Sequence, residues 1–329
     1  MFTLNNPDEI VVMKLGGGLI APKPKEYTPE YRPTINKFAV DSVCSGLARS
    51  YYGDISVDER AAFWNYKTGY AAVLGAGGFG HWIVNKYGLG GEVKSVDWKN
   101  VERVNNTQED LRNRIYRIMR SSKYDNRIHV QKFDPFSMIK MGDGEIKRFD
   151  SENIVESVKN GNVPLTYGVM AFSRINGNGG RYEIASGDDI TLLTAERMRE
   201  RFEVPVRAVM FTDVDGVLRW EGQENDVDIY GDIIRTIDQN NFYDVLPNLK
   251  GSKGKDFTGG MVKKITKVMA SSIPTLIVNG NDTKKVENAL TMKYPISMND
   301  LPGTLLYPGK NPSLVWNSYF TDYKPETDL

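Results

Sequence analysis

The chain is poor in cysteine. Cys44 is the only one in 329 residues, which excludes an intrachain disulfide and makes a reducing cytoplasm the plain expectation. A charge excess of either sign is also missing. The 42 basic residues balance the 42 acidic ones, so nothing draws the chain as a whole to nucleic acid or to an anionic membrane, and any anion site must be local. No apolar run approaches the roughly 20 residues of a membrane helix. The opening stretch, MFTLNNPDE, is polar and acidic and does not read as a signal peptide. Internal repeats and low-complexity tracts are absent from the pattern as well. The length suits one large α/β domain or two smaller ones.

What is present is organised around Val11-Val12-Met13-Lys14-Leu15-Gly16-Gly17-Gly18. Apolar residues read as a buried strand, and glycines follow one residue after a lysine. Such a turn brings backbone N–H groups to an anion with no Cβ in the way, and the lysine adds a point charge. Four prolines in 21–35 mark an exposed loop. Phe38, Val40, Val43 and Leu47 space a helix from Asn36 to about Tyr51. A second buried strand, Tyr70–Leu74, runs into Gly75-Ala76-Gly77-Gly78-Phe79-Gly80-His81, with a two-turn helix expected from His81. Leu111, Ile115, Ile118 and Met119 give an amphipathic helix over 105–125 with a solvated basic face. Further on, strands are expected near 128–131, 163–167, 206–212, 275–278 and 303–307. Helices are expected over 151–160, 190–202, 261–270 and 284–290. Hairpins or turns are expected around 142–144 and 174–181, and small strands among loops over 219–256. Strands alternating with helices predict a three-layer αβα sandwich with a central, mostly parallel sheet.

Three chemistries compete for these motifs. Gly75-x-Gly77-x-x-Gly80 after a strand, with Asp97 downstream, fits a dinucleotide fingerprint and hence a nicotinamide oxidoreductase. The short helix after it and the strand–helix unit before it count against that reading. Thr212-Asp213-Val214-Asp215-Gly216-Val217 has the Asp-x-Asp of haloacid-dehalogenase phosphatases, but the acidic pair Asp188-Asp189 lies upstream instead of downstream. The bland alternative is a loop ordered by Asx hydrogen bonds.

Taken together, Lys14–Gly18, Gly75–His81, Ser186-Gly187-Asp188, Thr212–Val217 and Thr258-Gly259-Gly260-Met261-Val262-Lys263-Lys264 follow an order that resembles the amino acid kinase superfamily. The Phe-Gly-His run makes the chain most similar to its isopentenyl phosphate kinases, with the fosfomycin kinases also related. The resemblance runs from about 10 to 309 and leaves 24–66, 100–150 and 219–250 unmatched. It implies a single domain over 1–329, with an acceptor half at about 1–184 and a nucleotide half at about 185–329. It also implies ATP with Mg²⁺ on its phosphates, no metal-ligating side chains, a small phosphate acceptor and a homodimer.

By that resemblance, Lys14 and Lys264 flank the migrating phosphoryl group, and Asp188 sits between them and holds both ammonium groups. His81 binds the acceptor phosphate, which implies an acceptor already carrying phosphate or phosphonate, because carboxylate kinases of the superfamily lack the Phe-Gly-His run. Gly17, Gly18, Gly77, Gly78, Gly80 and Gly187 face the acceptor. The nucleotide meets Gly16, Thr212, Asp213, Asp215, Gly216, Gly259 and Gly260, with Lys23 fitting the spacing of a phosphate lysine better than Lys25. Ala21, Gly18 and Val262 depart from the usual Thr, Ser and Lys. His129 has no motif around it. Tyr27, Tyr31, Phe63, Trp64 and Tyr66 either pack the 24–66 segment onto the body or line a lid.

Overall fold

A computed structural model describes residues 7–24, 26–28, 30–52, 68–87, 89, 98–121, 128–174, 180–220, 230–249, 260–292 and 300–309. In chain order the elements are β1 (Glu9–Leu15), α1 (Gly17–Ile20), α2 (Lys37–Tyr52), β2 (Thr68–Leu74), α3 (Gly77–Lys86), α4 (Trp98–Met119), β3 (Val130–Lys132), β4 (Ile139–Gly142), β5 (Glu145–Phe149) and α5 (Glu152–Lys159). There follow β6 (Val163–Tyr167), β7 (Val169–Arg174), β8 (Gly180–Ala185), α6 (Gly187–Phe202), β9 (Val206–Thr212), β10 (Val217–Trp220), β11 (Tyr230–Ile234) and β12 (Thr236–Asp238). The chain closes with α7 (Phe242–Val245), α8 (Gly260–Ala270), β13 (Thr275–Asn279), α9 (Thr283–Thr291) and β14 (Thr304–Tyr307).

Eight strands form the main sheet in the order β12-β14-β13-β9-β1-β2-β6-β3, and only the β13–β14 pairing is antiparallel. β1 lies between β2 and β9, with Lys14 in register with Val73 and Met210. Both β1 and β9 are buried along their whole length. That follows from helices on both faces: Gly69 abuts Val158 of α5, while its neighbour Tyr70 donates from Oη to the Leu290 carbonyl of α9 at 3.3 Å. Continuous apolar strands are what a doubly covered parallel sheet requires. A second sheet, β5-β4-β7-β8, stands beside the first, and β10 pairs with β11 as a separate ribbon.

At the far end of β1 from its glycines, Arg207 Nε donates to Glu9 Oε1 at 2.5 Å. Both side chains are buried, and the guanidinium also bonds the carbonyls of Ala289 and Met292.

Three expectations need correction. The helix after the second glycine run begins at Gly77, not His81, so its glycines form its first turn. Phe38 is 63% exposed; the buried stripe of α2 is Val40, Val43, Cys44 and Leu47, and position 38 falls off it. The helix expected over 105–125 runs from Trp98 to Met119, and its basic face is not wholly solvated. Arg112 is buried, pairing with Glu109 and donating to the Phe133 carbonyl, each at 2.8 Å. Asp97, Phe63, Trp64, Tyr66, Lys25, Thr258 and Gly259 lie outside the described residues.

Candidate active site

The carboxyl ends of β1, β2, β6 and β9 open into one cleft of about 660 Å³. Open α/β sheets place ligands at such an edge. The first residues of α1, α3, α6 and α8, namely Gly17, Gly77, Gly187 and Gly260, all line it. α3, α6 and α8 are each at least ten residues long, so their free N–H groups and dipoles favour an anion there.

The two glycine turns touch backbone to backbone. A Cβ on Gly17 would stand 2.2 Å from Gly77 N, and one on Gly77 would stand 2.2 Å from Gly17 O. Gly77 also has φ +50, which other residues rarely adopt. Glycine is needed here for close approach, in addition to any ligand.

At the floor of the cleft, Lys14 Nζ lies 3.1 Å from Asp188 Oδ1 and Lys264 Nζ lies 2.7 Å from the same oxygen. Lys14 comes from β1, Asp188 from the first turn of α6 and Lys264 from α8. Ser186 caps α6, its Oγ accepting from Asp189 N at 3.3 Å. Lys267, one turn beyond Lys264, reaches Asp189 at 2.6 Å and Ser186 Oγ at 3.1 Å. Two lysines of α8 thus grip two adjacent carboxylates of α6. Burial opposes charge on Asp188, but Lys14 and Lys264 outweigh it and hold the carboxyl well below the usual carboxylate range. Burial, helped by Lys264 and opposed by Asp188, brings Lys14 down to about 8.

Of the other residues singled out in the sequence, Gly16, Gly17, Gly18, Lys23, Gly77, Gly80, His81, Gly187, Thr212, Asp213, Gly216 and Gly260 line the cleft. His81 is 6% exposed, in the first turns of α3. Gly78 and Asp215 do not line it. Gly78 backs onto the Tyr31 hydroxyl and the Pro22 carbonyl. Tyr31 in turn bonds that carbonyl at 3.0 Å and stacks edge-on with Tyr27, so both tyrosines pack the early loop against the second glycine turn. Asp215 pairs with Lys285 at 2.5 Å and accepts from Asn279 at 3.1 Å. Those bonds hold its carboxyl below the usual range.

One lining residue, Gln108 on α4, goes unmarked by any motif. It is buried, and neither amide atom has a hydrogen-bond partner among the described residues, a cost of about 1–3 kcal/mol. The signal available in the sequence is a polar residue in an apolar helical stripe.

Known proteins resemble this chain in sequence and in fold. The chain is 28% identical to an isopentenyl phosphate kinase of Methanocaldococcus jannaschii, over 85% of this chain and 95% of that one. It is 23% identical to an isopentenyl phosphate kinase of Methanothermobacter thermautotrophicus, with the same coverage. A crystal structure of an isopentenyl phosphate kinase superposes with a TM-score of 0.64 at 19% identity, covering 90% of this chain and 99% of the other, a likeness of fold. Residues 9–279 match the model of the amino acid kinase family, and the chain belongs to that family.

Proposed function

We propose that the chain is a kinase that transfers the γ-phosphoryl group of ATP to a small organic monophosphate, isopentenyl phosphate, giving isopentenyl diphosphate and ADP. The observation that carries this reading is the meeting of Lys14 and Lys264 on one oxygen of Asp188, beneath helix N-termini, in a cleft that also holds His81. The names of the two archaeal relatives support the acceptor.

Phosphoryl transfer between two anions is chiefly a matter of position and charge. An oxygen of the acceptor phosphate attacks the γ-phosphorus as the bond to the β-γ bridging oxygen breaks, and ADP leaves with that oxygen. Lys14 and Lys264 bracket the group in flight. Asp188 keeps both ammonium groups charged and converged. His81 holds the acceptor phosphate, with Gly17, Gly18, Gly80 and Gly187 presenting backbone to the two substrates. Thr212, Asp213, Gly216, Gly260 and Lys23 serve the nucleotide.

We assign the strands and helices before about residue 184 to the acceptor and those after it to the nucleotide. The sheet is continuous across that boundary, with β1 and β9 as its seam. Among the described residues no three His, Cys, Asp or Glu side chains gather to hold a metal. Magnesium on the nucleotide's phosphates would supply neutralising charge there. Among the described residues, no helix is long and apolar enough to cross a membrane. We propose that two copies of the chain pair as a homodimer, which sedimentation would measure.

The test is ADP release with ATP and isopentenyl phosphate, with the product identified by mass. A diphosphate product at rates above those with carboxylate acceptors supports the reading. ADP release only with carboxylates, or none with any phosphate, removes it.

A further inference from the structure

The side chains that α4 buries are Val101, Val104, Gln108, Leu111, Arg112, Ile115 and Met119. Five of the seven are apolar, and Arg112 is held by Glu109 and the Phe133 carbonyl. Gln108 is 1% exposed, and among the described residues both Nε2 and Oε1 lack a partner. A position filled for packing alone would hold another aliphatic side chain.

The exception falls where α4 passes the second glycine turn. A Cβ built on Gly80 would come within 2.7 Å of Gln108 Nε2, so glycine at 80 leaves the room that the amide occupies. Gly80, His81 and Gln108 line the same cleft, with Val84, Val104 and Met170 as apolar neighbours. The amide thus stands at the polar end of an otherwise apolar corner.

We propose that Gln108 is an acceptor-binding, specificity-determining residue whose Nε2 donates to an oxygen of the acceptor phosphate beside His81. This rests on the acceptor reading given above. A carboxamide suits the task because it donates without titrating and without a net charge. A turn about its broad terminal torsion brings the N–H group onto the ligand. The neighbouring valines and methionine then receive the apolar remainder of the acceptor.

The experiment is steady-state kinetics of the wild type, Gln108→Leu and Gln108→Glu with ATP and isopentenyl phosphate, with thermal unfolding of each free protein. Losing one hydrogen bond to a charged group raises the acceptor KM about tenfold in Gln108→Leu. The ATP KM stays within about twofold, and Tm is equal to or above that of the wild type because the unmatched amide is gone. Gln108→Glu sets a carboxylate against the phosphate and lowers acceptor kcat/KM by about a hundredfold. An acceptor KM in Gln108→Leu within about twofold of wild type overturns the proposal, as does an equal rise in the KM of both substrates. Should Gln108→Leu fail to fold, Gln108→Glu decides by the same split between acceptor and ATP.

A wild type that phosphorylates no phosphate acceptor sinks the functional reading, and the residue is then tested with inorganic phosphate. Thermal stabilisation of the wild type by phosphate, lost in Gln108→Leu, supports the amide as an anion contact. Stabilisation that persists in the variant, or is absent from the wild type, overturns it.

Discussion

Lys14 and Lys264 come from opposite ends of the chain and share one carboxylate oxygen, Asp188 Oδ1, at 3.1 and 2.7 Å. Two cations side by side, Lys14 buried and Lys264 partly so, repel. The single carboxylate between them is what makes the arrangement stable without a phosphate, and a phosphate in flight would take over part of that role. Lys14→Ala and Lys264→Ala should therefore each lower kcat by about 10²–10³. Both should keep a wild-type circular dichroism spectrum. Turnover close to wild type in either variant would remove that lysine from the mechanism.

The lowered value of Lys14 makes a pH prediction with a definite sign. Its ammonium is lost near pH 8, against 10.5 for an ordinary lysine. kcat/KM of the free enzyme should fall as pH rises through about 8. Stability moves the other way for this group. Between about 8 and 10.5 the unfolded chain binds the extra proton, so folding gains as pH rises. Activity lost in that window with an unchanged circular dichroism spectrum would identify titration, not unfolding. Asp188→Asn should shift the falling limb to lower pH, because it removes the charge that holds the proton on Lys14. An unshifted limb in that variant would assign it to another group.

The Glu9–Arg207 pair tests stability apart from chemistry. It lies at the opposite end of β1 from the glycine turn, about 16 Å from Lys14 along the strand at 3.3 Å per residue. Arg207→Ala would leave a buried carboxylate without its cation, at a cost of about 3–5 kcal/mol. Urea denaturation should show that loss, while both KM values stay as in the wild type. A KM change without a stability change would place the pair in the functional network instead.

Much of this was readable from residues alone, for a physical reason. A parallel strand covered on both faces is an uninterrupted apolar run, and Val11–Leu15 and Val206–Thr212 show it openly. The glycine runs were readable as turns, but not the helix that starts inside the second one. Glycine is a poor helix former, and the close backbone contacts of Gly77 with Gly17 and Ala21, which leave no room for a Cβ, are seen only in the fold. The pairing of Asp215 with Lys285 is invisible in sequence because α9 brings the lysine from far along the chain. Arg112 reads as surface until Glu109 and the Phe133 carbonyl are seen to enclose it. Gln108 falls within the helix expected over 105–125, but the apolar positions that mark that helix begin at Leu111, and Val101 and Val104 lie before its expected start.

The assignment of the two halves is the last point open to direct test, and His81 decides it. The residue is buried in the first turns of α3, on the side of the cleft built from strands and helices before residue 184. If that side receives the acceptor, His81→Ala removes a donor to a phosphate and should raise the acceptor KM by tenfold or more, about the worth of one hydrogen bond to a charged group. The ATP KM should not move, because the nucleotide would sit over β9 and α8, across the lysine pair. Isothermal titration with a non-hydrolysable ATP analogue gives the same comparison without turnover. Weakened nucleotide binding with intact acceptor kinetics would mean that the halves are reversed, and that the histidine reads the γ-phosphate and not the group that attacks it.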